Sequence, residues 1–500
     1  MKNLTPVSIG IILSLVLCIC YIISLDYIAY PWCDEIGTSD MSINYVTRGL
    51  WCSTVWPYTY HPLHCFLLTA WVFLFGHSHI AVCALGEILA LITICILLSI
   101  CYKRGYFRSK TAALVFTIIY WSLLWHCNGR IDMLTMLFTV LLIHYWLPAN
   151  NIINYRRIKL FLCSFALMLT AIYPIPLLVI MAIYLTVTYS KNDRKIFILN
   201  GIIVASAFIL SFLLVCYYYF LQQHLLSYLS TFIQFNSSLN DYQETFLLSR
   251  VVDSYRTGFV GNGYLITVAN ILGICFSIYK KDLRLISISV FVALVPFLMC
   301  IIGHYVPEYQ WLVLLPTTCL CIYINDYILS NKYKRITLLL CPILLLLIPF
   351  RSYKHVDTVH NIRLQKEFVE TNKQAIANAE IVIFNDPCFY YPLVDIDAKR
   401  QFLYRDLFVE AGSNFRFNTI YAYTYVIEDL MKKTPVSSEQ LHQMEKGYDQ
   451  YYKSGIVLTS NEDFHNSTLS YFKLHNITFE ELFKDGDNIA ISFDSSNYID

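Results

Sequence analysis

The chain has 500 residues, 57% of them hydrophobic and 14% charged, with 36 Lys/Arg against 35 Asp/Glu. A soluble domain carries about 25% charged residues, so the composition excludes a chain that lies wholly in water, and no nucleic-acid partner is expected. The charge is also uneven: residues 1–350 hold 21 Lys/Arg and 13 Asp/Glu, residues 351–500 hold 15 and 22, which places an expected domain boundary near residue 350.

The first apolar run, 7–29, is long and is followed by no small-residue cleavage site, so it is expected to stay as a membrane span. A polar and aromatic segment, 30–78, comes next. It opens Tyr30-Pro-Trp-Cys-Asp34-Glu35, continues through Asp40, Tyr45 and Arg48, and ends Tyr60-His61-Pro62-Leu63-His64 with an amphipathic stretch to Phe75-Gly76. Trp56, Tyr58, Tyr60 and Trp71 suit helices lying in the membrane interface. Further runs follow at 79–101, 111–127, 131–147, 158–173, 174–190, 196–222, 258–279, 285–303, 308–329 and 336–350. A helix needs about 20 apolar residues to cross a bilayer. The predicted fold is therefore a polytopic α-helical membrane protein with about eleven transmembrane helices.

Basic residues set the orientation. With the N-terminus in the cytoplasm, 17 Lys/Arg fall on inner segments, among them Arg156, Arg157 and Lys159, and only Arg48, Arg130, Arg250 and Arg256 fall outside. In that register the tail, 351–500, is extracytoplasmic. It is predicted to be a small α/β domain, with a helix over 356–379, strands at 381–384, 456–459 and 489–493, and a helix over 437–452. Of the 17 cysteines, most lie inside apolar runs and read as small apolar residues. Cys33 and Cys52 sit in the outer segment, where a bridge and two free thiols are both open. No Walker-type or GxGxxG loop is present, so no nucleotide site is expected.

Three stretches carry a resemblance to a known family: Asp34-Glu35 directly after the first span; His61-Pro62-Leu63, Leu67-Leu68, Trp71 and Phe75-Gly76; and Arg130-Ile-Asp132-Met133 at the outer start of the fourth span. Together they resemble the polyprenyl-phosphate-sugar-dependent glycosyltransferases of the GT-C class, in particular the protein O-mannosyltransferase and aminoarabinose transferase group. The family's Pro-Pro pair is reduced here to the single Pro62. The outer segment His304-Tyr305-Val-Pro-Glu308-Tyr309 also lacks the Arg-Tyr of the pattern.

The resemblance implies a sugar donor on a polyprenyl phosphate, entering from the bilayer, and an acceptor that is a lipid, a glycan or a protein. It implies Asp34 as general base, with inversion at the anomeric carbon, and Glu35 and Asp132 beside it. Arg130, backed by Arg48 and Arg256, would hold the departing phosphate through paired hydrogen bonds. Tyr60, His61 and His304 would line the substrate site. No cofactor is required by this picture; a divalent metal is an option, with Glu35 and His61 as its candidate ligands. Apart from the resemblance, the short loops and compact length lead to an expected location in a bacterial cytoplasmic (inner) membrane.

Each assignment has a plainer counterpart. Asp34 is also a fit helix cap at the start of a solvated loop. Arg130 and Asp132 also fit a charge pair at a helix start, and His61 and His64 local hydrogen bonding. Glu87, two turns inside the second span, is either functional or tied to a neighbouring helix. A transporter or lipid-linked-sugar flippase is the alternative function, although no internal repeat is evident.

Overall fold

The computed structural model describes residues 4–28, 31, 33–49, 62–103, 109–123, 132–146, 153–171, 191–221, 225–226, 228–229, 356–398, 402–404, 454–474, 476–494 and 496. The predicted spans at 174–190, 258–279, 285–303, 308–329 and 336–350 lie outside the described residues, as does the helix expected over 437–452.

The first part is helical. Its elements are α1 (Pro6–Ile28), α2 (Cys33–Arg48), α3 (Pro62–Phe75), α4 (His79–Lys103), α5 (Lys110–Leu123), α6 (Asp132–Trp146), α7 (Ile153–Thr170) and α8 (Lys191–Leu221). The apolar runs begin where short polar side chains can cap them. Thr5 Oγ1 accepts from Ser8 N at 3.1 Å, Ser78 Oγ from Ala81 N at 3.3 Å, and Ser109 Oγ from Ala112 N at 3.0 Å. Each satisfies a backbone donor that the first helical turn leaves free. Among the described residues, three helices are long and apolar enough to cross a membrane: Pro6–Leu25, His79–Lys103 and Arg194–Leu221.

Helix α1 packs on α4 and α5, α4 on α6, α6 on α7, and α7 on α8. Polar atoms tie these apolar helices at single points. Tyr120 Oη donates to the Ala90 carbonyl at 3.1 Å, and Tyr21 Oη to that of Trp121 at 3.3 Å. Arg156 donates to the carbonyls of His144 (2.8 Å) and Tyr145 (3.1 Å). It thereby occupies acceptors that the last turn of α6 leaves open.

The second part is a mixed sheet flanked by helices. Its elements are α9 (Val356–Thr371), α10 (Lys373–Asn378), β1 (Ile381–Phe384), a 3-10 turn at Pro387–Phe389, α11 (Tyr390–Ile396), β2 (Leu403–Tyr404), β3 (Ser454–Thr459), α12 (Glu462–Leu474), β4 (Thr478–Asp485) and β5 (Asn488–Asp494). The strand order is β2-β1-β3-β5-β4. Strand β1 runs parallel to β2 and β3, while β5 runs antiparallel to β3 and β4.

Both faces of this sheet are covered, and the alternation along each strand shows how. Val382, Phe384, Ile456, Leu458 and Ala490 join one core; Ile381, Ile383, Val457, Ile489, Ile491 and Phe493 join the other. Successive strand residues point to opposite faces, and burial on both explains why β1, β3 and β5 read as unbroken apolar runs. The second core is closed by α12, through Phe464, Tyr471 and Phe472. The first core does not stop at the sheet. It runs through α9, α10 and α11 into side chains of α1 to α6, including Cys18, Ile36, Leu68, Leu85 and Leu134. The sheet region is thus seated on the helical region by one continuous apolar core.

Candidate functional site

Helix α2 is where the helical region meets the sheet region. Among the described helices before residue 230 it is the least apolar, yet every residue from Glu35 to Asn44 is buried. Its internal hydroxyls are absorbed by backbone. Thr38 Oγ1 donates to the Glu35 carbonyl at 3.0 Å, and Ser42 Oγ to the carbonyls of Thr38 (3.0 Å) and Cys65 (3.3 Å), which fastens α2 to α3. The helix ends at Gly49, whose φ of +73° lets its N–H reach the Tyr45 carbonyl at 2.9 Å, an αL cap that a Cβ would oppose.

The two carboxylates on α2 find their partners at the far end of the chain. Tyr391 Oη donates to Glu35 Oε1 at 2.9 Å and lies 3.1 Å from Ser39 Oγ. Tyr390 Oη donates to Asp40 Oδ1 at 3.0 Å. Glu35 is 0% exposed and Asp40 3%, so each carboxylate is held where an unpaired charge would cost several kcal/mol. Burial, with Asp40 beside it, pushes the Tyr390 phenol well above the ordinary tyrosine range; burial, with Glu35 beside it, does the same to Tyr391. Both therefore remain hydrogen-bond donors. Burial likewise raises the Cys388 thiol, which leaves it a poor nucleophile.

The third wall comes from the start of α4. Gly76, at φ +86°, ends α3, and its N–H reaches the Val72 carbonyl at 2.9 Å. Trp71 Nε1 then donates across the corner to the Ala81 carbonyl at 2.7 Å, with its ring 4.1 Å from that of Phe75. The Trp71 and Phe75-Gly76 signature is thus a corner that sets where α4 begins. That corner carries His79 to 3.1 Å from Glu35 Oε1, with its ring 4.6 Å from the Tyr391 ring. One turn later Cys83 Sγ lies 3.9 Å from the same oxygen. At the rim, His77 Nε2 is 3.6 Å from Asp395 Oδ1.

The sequence candidates divide accordingly. Glu35 is brought into the cluster, where partners on α4 and α11 let a carboxylate go fully inside. Asp34 lies in the first turn of α2 and Arg48 is its last residue; for both the structure describes the backbone position. That order complements the helix dipole, acid at the N-terminus and base at the C-terminus. Asp132 opens α6 and is half-buried. Tyr60, His61, Arg130, Arg256, His304 and Cys52 lie outside the described residues, and with them His61 as an optional metal ligand and one half of the possible Cys33–Cys52 bridge. Glu87 is buried inside α4, its carbonyl accepting from Cys18 Sγ at 3.6 Å.

Sequence reasoning missed His79, Cys83, Tyr390 and Tyr391. The first two stand at i and i+4 on one helix, a spacing that puts two side chains on one face and was there to be read. The tyrosines are 350 and 356 residues from their carboxylates, and no local pattern marks them.

No protein-family model matches the sequence, and no curated protein sequence does. Solved structures do match. The crystal structure of ArnT from Cupriavidus metallidurans bound to undecaprenyl phosphate has a TM-score of 0.61 at 11% identity, covering 97% of each chain. The apo state of the same ArnT has a TM-score of 0.62 at 10% identity, with the same coverage. At this identity the likeness is one of fold, and it extends over nearly the whole chain. This protein therefore has the fold of these ArnT structures over nearly its whole length.

Proposed function

We propose that this protein is an integral membrane glycosyltransferase that moves a sugar from a polyprenyl-phosphate carrier to an acceptor on the extracytoplasmic face. The observation that carries the reading is the likeness over 97% of the chain to an ArnT crystallised with undecaprenyl phosphate. Fold alone does not specify activity. The sequence adds the acidic pair at the start of α2 and the Arg130-Ile-Asp132 stretch that leads into α6, each in the place where the GT-C pattern has it.

In the proposed mechanism Asp34 takes the proton from the attacking hydroxyl or amine of the acceptor as it meets the anomeric carbon. The base works on the face opposite the leaving phosphate, so the configuration inverts. The phosphate gains charge as it departs, and Arg130, with Arg48 and Arg256, supplies fixed cationic donors where that charge develops. Tyr60, His61 and His304 line the donor and acceptor approaches, and Asp132 orients Arg130. Glu35, buried between Tyr391 and His79, positions the first turn of α2 and with it Asp34. The division of labour is a transmembrane catalytic domain, 1–350, and an extracytoplasmic α/β domain, 351–500, in a bacterial inner membrane with the N-terminus cytoplasmic. The acceptor is a lipid, a glycan or a protein.

The test is transfer or hydrolysis of radiolabelled polyprenyl-phosphate hexoses and pentoses by purified protein, wild type beside Asp34→Asn. Sugar release by wild type, reduced at least about a hundredfold in Asp34→Asn, is expected. Equal activity in the variant removes Asp34 as the base. No turnover of any donor by folded wild type, across the three acceptor classes, removes the glycosyltransferase reading.

A further inference from the structure

We propose that Glu35, His79 and Cys83 form a zinc site that locks the α2–α4 corner beneath the sheet region. Among the described residues, one ligand atom from each of these three side chains lies within 4.8 Å of the other two. Metal bonds of about 2.0–2.3 Å in tetrahedral array place neighbouring ligand atoms about 3.3–3.7 Å apart. The observed separations are 3.1 Å for His79 Nε2 to Glu35 Oε1 and 3.9 Å for Cys83 Sγ to the same oxygen. The side chains therefore converge without further backbone movement.

A second observation points to a ligand in the same place. Glu35 is 0% exposed, and its Oε2 has no hydrogen-bond partner among the described residues. His79 Nε2 is likewise buried and unsatisfied: it is close to Glu35, yet its N–H direction does not make a hydrogen bond to it. A fully buried carboxylate oxygen and an imidazole nitrogen left unmatched are costly. One cation between them answers both, and it draws in the thiol that stands a turn along α4.

The donor set chooses the metal. Thiolate, imidazole and carboxylate together suit Zn²⁺, whereas Mg²⁺, Ca²⁺ and Mn²⁺ favour oxygen. On binding, the Cys83 thiol releases its proton to solvent and the thiolate sulfur becomes a ligand. Three protein ligands leave one position open in a tetrahedral site. The Tyr391 hydroxyl, 2.9 Å from Glu35 Oε1, stands beside the site and orients the ligand carboxylate as an outer partner. Because its ligands come from α2 and α4, the bound metal ties the start of α2 to the start of α4, with α11 held beside them through Tyr391.

The test reads metal on the full-length resting protein, so its failure is separate from any failure of the transferase reading. Wild type, His79→Gln and Cys83→Ser are purified in detergent, dialysed against metal-free buffer, and their metal content measured by mass spectrometry. Retention of about one zinc per chain by wild type, falling at least about tenfold in either variant, is expected. Cobalt supplied to metal-stripped wild type should give a thiolate-to-cobalt charge-transfer band that Cys83→Ser lacks while still eluting as a monodisperse species. Zinc content equal in wild type and Cys83→Ser overturns the site, as does wild type that takes up neither zinc nor cobalt. Retention of magnesium or manganese in place of zinc also overturns it.

Discussion

Helices α1 and α2 are neighbours in sequence and opposites in environment. Helix α1 is almost wholly apolar, yet it exposes Ile12, Leu15, Val16, Ile19 and Ile23. Helix α2 is polar, yet it is buried from Glu35 to Asn44. In a water-soluble protein the assignments would be reversed. The contrast follows from a bilayer as solvent: apolar side chains face lipid at no cost, while polar ones must find partners within the protein. Helix α2 finds them in Ser42 to Cys65, Glu35 to Tyr391 and Asp40 to Tyr390.

A charge on α1 breaks the contrast most directly. Ile19→Arg should cost about 2.5–3.5 kcal/mol of insertion free energy if that face meets lipid, seen as a loss of membrane-integrated protein in an insertion assay. A variant that integrates like wild type would place this face in water. Next in size is the reverse experiment on α2. Tyr391→Phe removes a donor from a fully buried carboxylate and should destabilise by about 1–3 kcal/mol, read as a lower melting temperature in detergent and faster proteolysis of the 351–500 segment.

A smaller effect is expected at the corner. Trp71→Phe keeps the ring but loses the bond to the Ala81 carbonyl, for about 0.5–1.5 kcal/mol. If that bond sets the start of α4, the variant should also weaken zinc retention.

The last prediction sharpens the contrast through pH. The phenols of Tyr390 and Tyr391 are raised by burial and by the carboxylates they face. An unfolded tyrosine loses its proton near pH 10, and these two lose theirs only at higher pH. Their contribution is therefore complete below about pH 10 and declines as pH rises beyond it. The melting temperature of wild type should fall more steeply with alkaline pH than that of a Tyr390→Phe, Tyr391→Phe double variant. Parallel curves would show that the phenols do not hold α2 in place.

Much of the fold was legible because it depends on local chemistry. Apolar runs at 7–29 and 79–101 became α1 and α4, since a membrane-length helix satisfies its own backbone. Ile381–Phe384 and Ile489–Phe493 became β1 and β5, since a strand buried on both faces is apolar throughout. Helix α12 was also written in the sequence and overlooked. Asn461 Oδ1 caps Phe464 N at 3.0 Å, and Phe464, Thr468, Tyr471 and Phe472 recur at helical spacing. Strand β4 was hidden because it lies at the sheet edge and is largely exposed, with a register shift between Glu481 and Phe483.

The sequence by itself determined which segments seek lipid, which short apolar runs form strands β1, β3 and β5, and that Asp34-Glu35 opens a polar segment after the first span. Only the tertiary structure decided that Glu35 and Asp40 are interior, that Tyr390 and Tyr391 reach them across some 350 residues, and that His79 and Cys83 complete the cluster. The physical reason is that a buried carboxylate needs a partner of suitable chemistry at hydrogen-bond distance, and neither requirement fixes where in the chain that partner is encoded.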